Sequence, residues 1–192
     1  MKKYQIIYAD PPWEYKASRS IAETSCLSGE NYKHYNYMSI EDLCSLPIWK
    51  ITDNNCLLFL WITGPKLNIA FNVGISWGFE YATIAFVWDK QRLNPGYYTM
   101  SQVELCLVFR KGNIPTPRGK RNIRQLLSEE RRGHSKKPDT IRKKIVEMFP
   151  TQNKIELFAR KPENVLFEDE SWKGWDVWGN EVESDINLEE NE

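Results

Sequence analysis

A carboxylate, two prolines and an indole follow a short apolar segment near the start of the chain, as Asp10-Pro11-Pro12-Trp13. The preceding residues 4–9 have the aliphatic and aromatic composition of a buried strand. Because proline has no N–H for a sheet ladder, we expect the strand to end at Asp10. The group would then lie at a strand end, where open α/β sheets bind ligands. The alternative is a turn that merely ends a strand.

The tetrapeptide resembles the catalytic tetrapeptide of S-adenosylmethionine-dependent methyltransferases that act on exocyclic amines of adenine or cytosine. The lone pair of such an amine is delocalised into the ring, so hydrogen-bond acceptors must draw it out of conjugation. The Asp10 carboxylate and the Pro11 carbonyl would each accept one N–H, and the prolines fix that carbonyl in advance. Trp13 would stack on the base, a contact worth about 1–3 kcal/mol. The expected catalytic residues are Asp10, Pro11, Pro12 and Trp13.

Charge is balanced overall but unevenly distributed. The 192 residues are enough for one domain, and Lys plus Arg and Asp plus Glu both number 26. Thirteen Lys or Arg residues lie within 110–144, whereas residues 181–192 are acidic. A basic run is ordinarily a solvated face, but this asymmetry favours phosphate binding by the middle segment. The candidate residues are Arg118, Lys120, Arg121, Arg124, Arg131 and Arg132.

The cysteines show no metal-ligand spacing with one another or with the two histidines, which argues against zinc or a disulfide framework. They are Cys26, Cys44, Cys56 and Cys106, and Cys56 and Cys106 lie in apolar runs typical of core positions. The apolar stretch after the first lysines is too short for a signal peptide, and no run is long enough to cross a membrane. We therefore expect a cytoplasmic protein with no metal.

Strand and helix patterns alternate along the remaining chain, which predicts an α/β fold with a largely parallel sheet. Further strands are predicted at 57–62, 81–88, 104–109 and 154–160, and helices at 39–47, 64–77 and 138–149. In the last helix, Arg142, Lys143 and Lys144 are predicted to face water. Residues 14–37 are polar and are predicted to form a loop over the site.

Five separated motifs occur in order along nearly the whole chain. They are ADPPW (9–13), LFLWITG (58–64), HSKKPD (134–139), KIELFAR (154–160) and GWDVWGNE (174–181). On these motifs the chain resembles the MT-A family of adenine-N6 methyltransferases, which includes the catalytic subunit of the eukaryotic messenger-RNA N6-adenosine methyltransferase and small bacterial and phage DNA enzymes. The resemblance implies one Rossmann-like S-adenosylmethionine-dependent methyltransferase domain over 1–182, an α/β fold in permuted motif order with a mostly parallel sheet flanked by helices. Residues 183–192 would form an acidic, disordered tail.

The resemblance also implies the residues that bind S-adenosylmethionine. Lys137 matches a position that binds the methionine carboxylate, and it precedes a predicted helix start, where anions bind. Arg160, Asn180 and Glu181 match positions that bind the ribose hydroxyls. The expected cofactor-binding set is Asp10, Lys137, Glu156, Arg160, Asn164, Asn180 and Glu181. Because a carboxylate in an apolar strand is costly unless paired, we expect Glu156 to have a partner.

On the substrate side, Glu104 matches an acid near the pocket of relatives, although many relatives have Asn-His where this chain has Gln102-Val103. Tyr35 and Tyr37 match a loop that gates the base. Trp61 would line the pocket or only pack, and packing is the favoured interpretation.

The expected reaction is methyl transfer to the N6 amine of adenine in a nucleic acid. DNA is favoured over RNA because the compact chain lacks the extra domains of the RNA-modifying relatives. The alternatives are RNA adenine-N6 methylation, cytosine-N4 methylation and a catalytically inactive nucleic-acid-binding scaffold subunit of a heteromeric methyltransferase. Either a homodimer or a heteromeric partner is compatible with the sequence.

Overall fold

Seven strands of the described residues form one sheet. The structure, a computed structural model, describes residues 2–14, 37–96, 98–131, 136–159 and 172–188. The strands are β1 (Tyr4–Ala9), β2 (Thr52–Ile62), β3 (Glu80–Asn94), β4 (Ser101–Lys111), β5 (Leu126–Ser128), β6 (Lys154–Leu157) and β7 (Trp175–Trp178). Their order across the sheet is β5-β3-β4-β2-β1-β6-β7.

The sheet is mostly parallel, as predicted, with one reversed strand. β1 pairs in parallel with β2 and β6, β6 with β7, and β3 with β5, whereas β4 is antiparallel to both β2 and β3. The carboxyl ends of β1, β2, β3, β6 and β7 therefore share one edge, which we call the carboxyl edge. Because β4 runs the other way, its first residues lie at that same edge.

Helices cover both faces of this sheet. They are α1 (Ile40–Ser45), α2 (Leu67–Ser76) and α3 (Asp139–Met148). The predicted starts are confirmed: the Ser39 hydroxyl accepts the Asp42 N–H at 3.0 Å, and Pro65 lies in a 3-10 turn before α2. These local signals satisfy or remove N–H groups that a helix start leaves unpaired.

Two hydrophobic clusters fill the space between the sheet and the helices. Alternation along β1 sends Ile7 into a cluster that includes Leu43 of α1 and Val73 of α2. Ile6 enters a second cluster with Ile145 of α3. The result is a helix–sheet–helix arrangement that agrees with the Rossmann-like α/β fold implied by the motifs.

Arg142 corrects one prediction for α3. Only 4% of the residue is exposed, whereas Lys143 is exposed as predicted. Arg142 lies three residues before Ile145 and one after Ile141, so it shares the buried helix face with them. Its burial is tolerated because it pairs with the Asp139 and Glu156 carboxylates.

The prediction of a disordered tail from residue 183 is wrong for residues 183–188. The Asp185 N–H donates to the Val177 carbonyl at 2.9 Å, and the Val177 N–H donates to the Asp185 carboxylate at 2.8 Å. Leu188 is 2% exposed and joins the first cluster. An apolar residue within the acidic segment thus ties it to the domain, while residues 189–192 lie outside the described part.

Two further expectations concern cysteines and membranes. Cys56 and Cys106 are buried free thiols, which confirms their prediction as core residues, and Cys26 lies outside the described residues. Among the helices of the described residues, none is long and apolar enough to span a membrane.

Candidate active site

Three predicted site residues meet at the carboxyl edge. Asp10 follows β1, Glu104 lies at the start of β4, and Lys137 comes just before α3. The Lys137 ammonium is 2.8 Å from the Asp10 carboxylate and 3.3 Å from that of Glu104. A residue predicted to bind the cofactor therefore contacts two residues predicted to act on the substrate side.

Lys90, near the end of β3, extends this contact into a chain of alternating charges. Its ammonium is 3.2 Å from the second carboxylate oxygen of Glu104, and the residue is 6% exposed. We call Lys90, Glu104, Lys137 and Asp10 the charge row. Sequence reasoning missed Lys90 because it predicted that this strand ends at residue 88. In the structure β3 continues to Asn94, and Lys90 lies diagonally across from Glu104, which pairs with Trp88.

Ion pairing within the charge row keeps Glu104 and Lys137 ionised despite their burial. Burial alone would raise the pKa of Glu104, but Lys137 and Lys90 hold that pKa below its usual value. Burial alone would lower the pKa of Lys137, but the Asp10 and Glu104 carboxylates raise it. The site therefore presents fixed charges of both signs at neutral pH.

The Asp10–Trp13 loop is fixed by its own hydrogen bonds. The Trp13 N–H donates to the Pro11 carbonyl at 2.8 Å, and the Met38 N–H donates to the Pro12 carbonyl at 3.0 Å. A carbonyl oxygen has two lone pairs, so the Pro11 oxygen retains capacity for an amine N–H. The loop thus holds a directed acceptor beside the Asp10 carboxylate.

Trp13 does not present its ring as predicted. It is 6% exposed, belongs to the first hydrophobic cluster and donates its indole N–H to the Trp61 carbonyl at 3.1 Å. In this conformation the ring anchors the loop to the end of β2. The stacking role predicted for Trp13 would require a different position of the ring.

Trp61 agrees with the packing interpretation. The residue is fully buried, and its indole N–H donates to the Tyr8 hydroxyl at 2.7 Å. The Lys137 ammonium lies 5.6 Å from the centre of its ring system, within the range of a cation–π contact. Trp61 therefore supports Lys137 from inside the protein, and its burial leaves no surface for a base.

Glu156 has the partner expected for a carboxylate in β6. Arg142 donates to its carboxylate at 3.0 Å, also pairs with Asp139, and lies 3.7 Å from the ring centre of Trp172. Burial raises the pKa of Glu156 to about 7; Arg142 opposes this shift, and the charge of Asp10 adds to it. Arg142 escaped sequence reasoning because it lies within the basic run.

The ends of β6 and β7 are held closely together. The Ala159 N–H donates to the Trp178 carbonyl at 3.1 Å, and a Cβ on Gly179 would lie only 3.1 Å from the Phe158 Cα. Only glycine therefore fits at 179 without displacing backbone. Asn180 and Glu181 follow directly and are exposed, and Arg160 and Asn164 lie outside the described residues.

The basic segment divides into packed and exposed residues. The Arg118 guanidinium lies 4.7 Å from the ring centre of Phe149, and the Lys120 ammonium is 2.9 Å from the Glu147 carboxylate. Arg121 and Arg124 are exposed, whereas Arg131 is half-buried. Exposed arginines suit phosphate contact best, so Arg121 and Arg124 are the stronger candidates within this segment.

Other predicted residues are less defined by the structure. Tyr37 is 44% exposed, beside Met38, and can reach a ligand at the surface. Tyr35 and Arg132 lie outside the described residues. Within the described ranges, no group of three or more His, Cys, Asp or Glu side chains could hold a metal ion.

Comparison with known proteins matches this architecture. The MT-A70 family model matches residues 4–181. The Type II methyltransferase M.MunI of Mycoplasma sp is 46% identical over 192 residues, which cover 94% of this chain and 78% of that protein.

Eukaryotic relatives are more distant and longer. The N(6)-adenosine-methyltransferase MT-A70-like protein of Drosophila melanogaster is 29% identical over 189 residues, covering 94% of this chain and 27% of its own length. The N(6)-adenosine-methyltransferase catalytic subunit METTL3 of Homo sapiens is 28% identical over 189 residues, covering 94% and 28%. The chain spans about a quarter of the length of these two relatives. The resemblance inferred from the motifs is thereby confirmed, and the chain belongs to the MT-A70 family.

Proposed function

We propose that this protein is an S-adenosylmethionine-dependent methyltransferase that methylates the N6 amine of adenine in DNA. The observation that carries the proposal is the 2.8 Å ion pair between Lys137 and Asp10 at the carboxyl edge. It joins the expected amine-binding carboxylate to the expected cofactor-binding ammonium. A methyl donor held by Lys137 and an amine held by Asp10 would therefore meet at the same edge of the sheet.

The donor set suits S-adenosylmethionine. Its methionine end carries an ammonium and a carboxylate, and the site offers the Asp10 carboxylate and the Lys137 ammonium as complementary groups. Asn180 and Glu181, exposed after β7, provide amide and carboxylate groups for a ribose diol. Arg160 and Asn164 remain predicted contributors. The bound cofactor supplies an electrophilic methyl group.

The chain's own residues then act mainly by position. Asp10 and the Pro11 carbonyl accept the two amine N–H groups, which directs the nitrogen lone pair away from the ring. The Trp13 N–H fixes the Pro11 carbonyl, and Lys137 fixes the Asp10 carboxylate. Because both acceptors are held before substrate arrives, little reorganisation is needed during transfer.

DNA is favoured by the relative with the higher identity. The Type II methyltransferase M.MunI is 46% identical, whereas the N(6)-adenosine-methyltransferases are 28–29% identical. The names of the latter support N6 of adenine as the acceptor. For a duplex, the adenine must leave the helix at a cost of a few kcal/mol, which phosphate contacts from exposed arginines such as Arg121 and Arg124 would help to offset.

The test is methyl transfer from labelled S-adenosylmethionine to matched DNA and RNA oligonucleotides, single- and double-stranded, followed by nucleoside analysis. We expect N6-methyladenine in DNA from the wild type and none from Asp10→Asn, which keeps the size of the side chain. Transfer to RNA alone, or N4-methylcytosine as the product, would contradict the proposal. No transfer together with no calorimetric heat from the cofactor would favour the scaffold function.

A further inference from the structure

Lys90 is a buried cation that the proposed reaction has not yet used. It lies on β3, is 6% exposed, and its ammonium contacts the Glu104 carboxylate at 3.2 Å. The other oxygen of that carboxylate is 3.3 Å from Lys137. Within the described part of the chain, Lys90 therefore reaches the site through Glu104.

Counting charges shows what Lys90 does for its neighbours. Lys137 lies between two carboxylates, Asp10 and Glu104, and would by itself have to balance both negative charges. Lys90 supplies the second positive charge, so the charge row is neutral overall and each contact joins opposite signs. Buried ionised groups are retained only when they are paired in this way.

Two simpler functions fit Lys90 poorly. A phosphate contact needs exposure, and only 7% of the Lys90 side chain is exposed. If Lys90 only stabilised the pairing of β3 with β4, its partner would not need to be the carboxylate that binds Lys137. The geometry instead ties the position of Glu104, and through it that of Lys137, to Lys90.

We propose that Lys90 is a positioning residue for methyl transfer, which anchors Glu104 so that Glu104 and Asp10 hold Lys137 between them. This inference rests on the proposed function. Without Lys90, Glu104 draws Lys137 towards itself and away from Asp10. Both the direction of the Asp10 carboxylate and the ammonium available to the cofactor then change.

Among the residues that the structure describes, the charged groups that face Glu104 come from three elements. They are Lys90 from β3, Lys137 from the segment before α3, and Asp10 from the end of β1 across Lys137. Cys106, two residues along β4, is a fully buried thiol whose pKa burial raises well above its usual value, so it stays neutral. Removing Lys90 leaves the burial of Glu104 less opposed, and the pKa of Glu104 then rises.

The experiment compares wild type, Lys90→Met, Lys90→Gln and Lys90→Arg in steady-state methylation of a DNA duplex across pH. For the neutral variants we expect kcat to fall roughly tenfold to hundredfold, the cost of a misplaced reacting group. The KM for DNA should stay within about twofold, because no contact with the substrate is lost. The acid limb of the pH profile should move to higher pH in both neutral variants. In Lys90→Arg, which keeps the positive charge, it should lie at the wild-type position.

Lys2→Met is the matched control, since Lys2 also pairs with a carboxylate, that of Asp176 at 2.6 Å, but is exposed and takes no part in the site. We expect its pH profile and kcat to equal those of wild type. An unshifted acid limb in Lys90→Gln would overturn the inference, as would a change confined to the KM for DNA. Lys90→Gln can still donate to Glu104, so it keeps the test available if Lys90→Met does not fold.

Failure of the inference is separable from failure of the proposed function. If the wild type transfers no methyl group to any nucleic acid, thermal unfolding across pH replaces the activity assay. The destabilisation of Lys90→Gln should then shrink as pH falls, because protonation of Glu104 removes the buried charge that has lost a partner. A destabilisation that does not change with pH would overturn the inference in that case.

Discussion

Glu104 and Glu156 are two buried carboxylates near the same sheet edge, and their environments are opposite. Glu104 contacts two cations, Lys90 and Lys137. Glu156 contacts Arg142, which also pairs with Asp139. The pKa of Glu104 is accordingly held below its usual value, whereas that of Glu156 rises to about 7.

The difference shows that burial alone does not decide protonation at this site. Burial alone would raise the pKa of both carboxyls, but Glu104 has two cationic partners and Glu156 shares one with Asp139, so only the pKa of Glu156 rises. Asp10 connects the two regions, because it pairs with Lys137 and its charge raises the pKa of Glu156. A change at Asp10 therefore acts on both regions.

Asp10→Ala should have the largest effect of any change at the site. It removes an acceptor for the amine and the partner of Lys137, so we expect turnover to fall by at least about 10²–10³-fold. Cofactor affinity, measured by calorimetry, should fall far less than turnover, because Lys137 and the ribose-binding residues are retained. Turnover comparable to wild type would rule out the role assigned to Asp10.

Arg142→Met should have the largest effect on stability, because it leaves Glu156 and Asp139 without their shared cation. Removing one partner of a buried ion pair typically lowers the free energy of unfolding by about 3–5 kcal/mol. Chemical denaturation of wild type and variant measures this loss. The double variant Arg142→Met, Glu156→Gln carries one buried charge fewer and should recover part of this loss. A double variant no more stable than Arg142→Met would argue against the pair as the cause.

The two carboxylates should also give stability opposite pH dependences. The pKa of Glu156 in the folded protein is raised from 4.5 to about 7. The free energy of unfolding should therefore decrease by about 3 kcal/mol as pH rises through this window, because the folded state favours the protonated carboxyl. The pKa of Glu104 in the folded protein is lowered. The ionised carboxylate therefore contributes to stability above the ordinary pKa of a glutamate, and this contribution is lost as pH falls below that value. Unfolding of wild type, Glu156→Gln and Glu104→Gln across pH separates the two. Parallel curves for all three proteins would contradict the contrast.

The exposed arginines should give the smallest effects. Arg121→Ala and Arg124→Ala should each weaken DNA binding about equally for all sequences, and should reduce the log–log salt slope by about one if that residue contacts phosphate. They should leave the pH profile unchanged, unlike changes at the buried cations. Titrations at several salt concentrations measure the slope, and an unchanged slope would exclude the contact.

The sequence was sufficient to predict the three helices and all strands of the described sheet except β5 and β7. The strand that ends at Asp10 and the helix that starts near Pro138 follow from local rules on proline and capping. The motifs placed Lys137 in the site. Its contact with Asp10 required the parallel pairing of distant segments, which agrees with the predicted α/β fold.

The positions of Arg142, Lys90 and Trp13 depend on contacts with residues distant in sequence, which local sequence patterns do not reveal. Arg142 was predicted to face water because it lies in a basic run, and only the buried carboxylates around it explain its position. Lys90 became a site residue through the pairing of β3 with β4. Trp13 was assigned to the substrate by motif, but the carbonyl that it binds belongs to a strand 48 residues away.

The bridge between Trp13 and Met38 has a consequence for engineering. Met38 lies two residues before the start of α1, so the bridge couples the Asp10–Trp13 loop to that helix. A substitution that shifts α1 would therefore also shift the loop. Redesign of α1 should be checked by its effect on Asp10 as well as by its effect on stability.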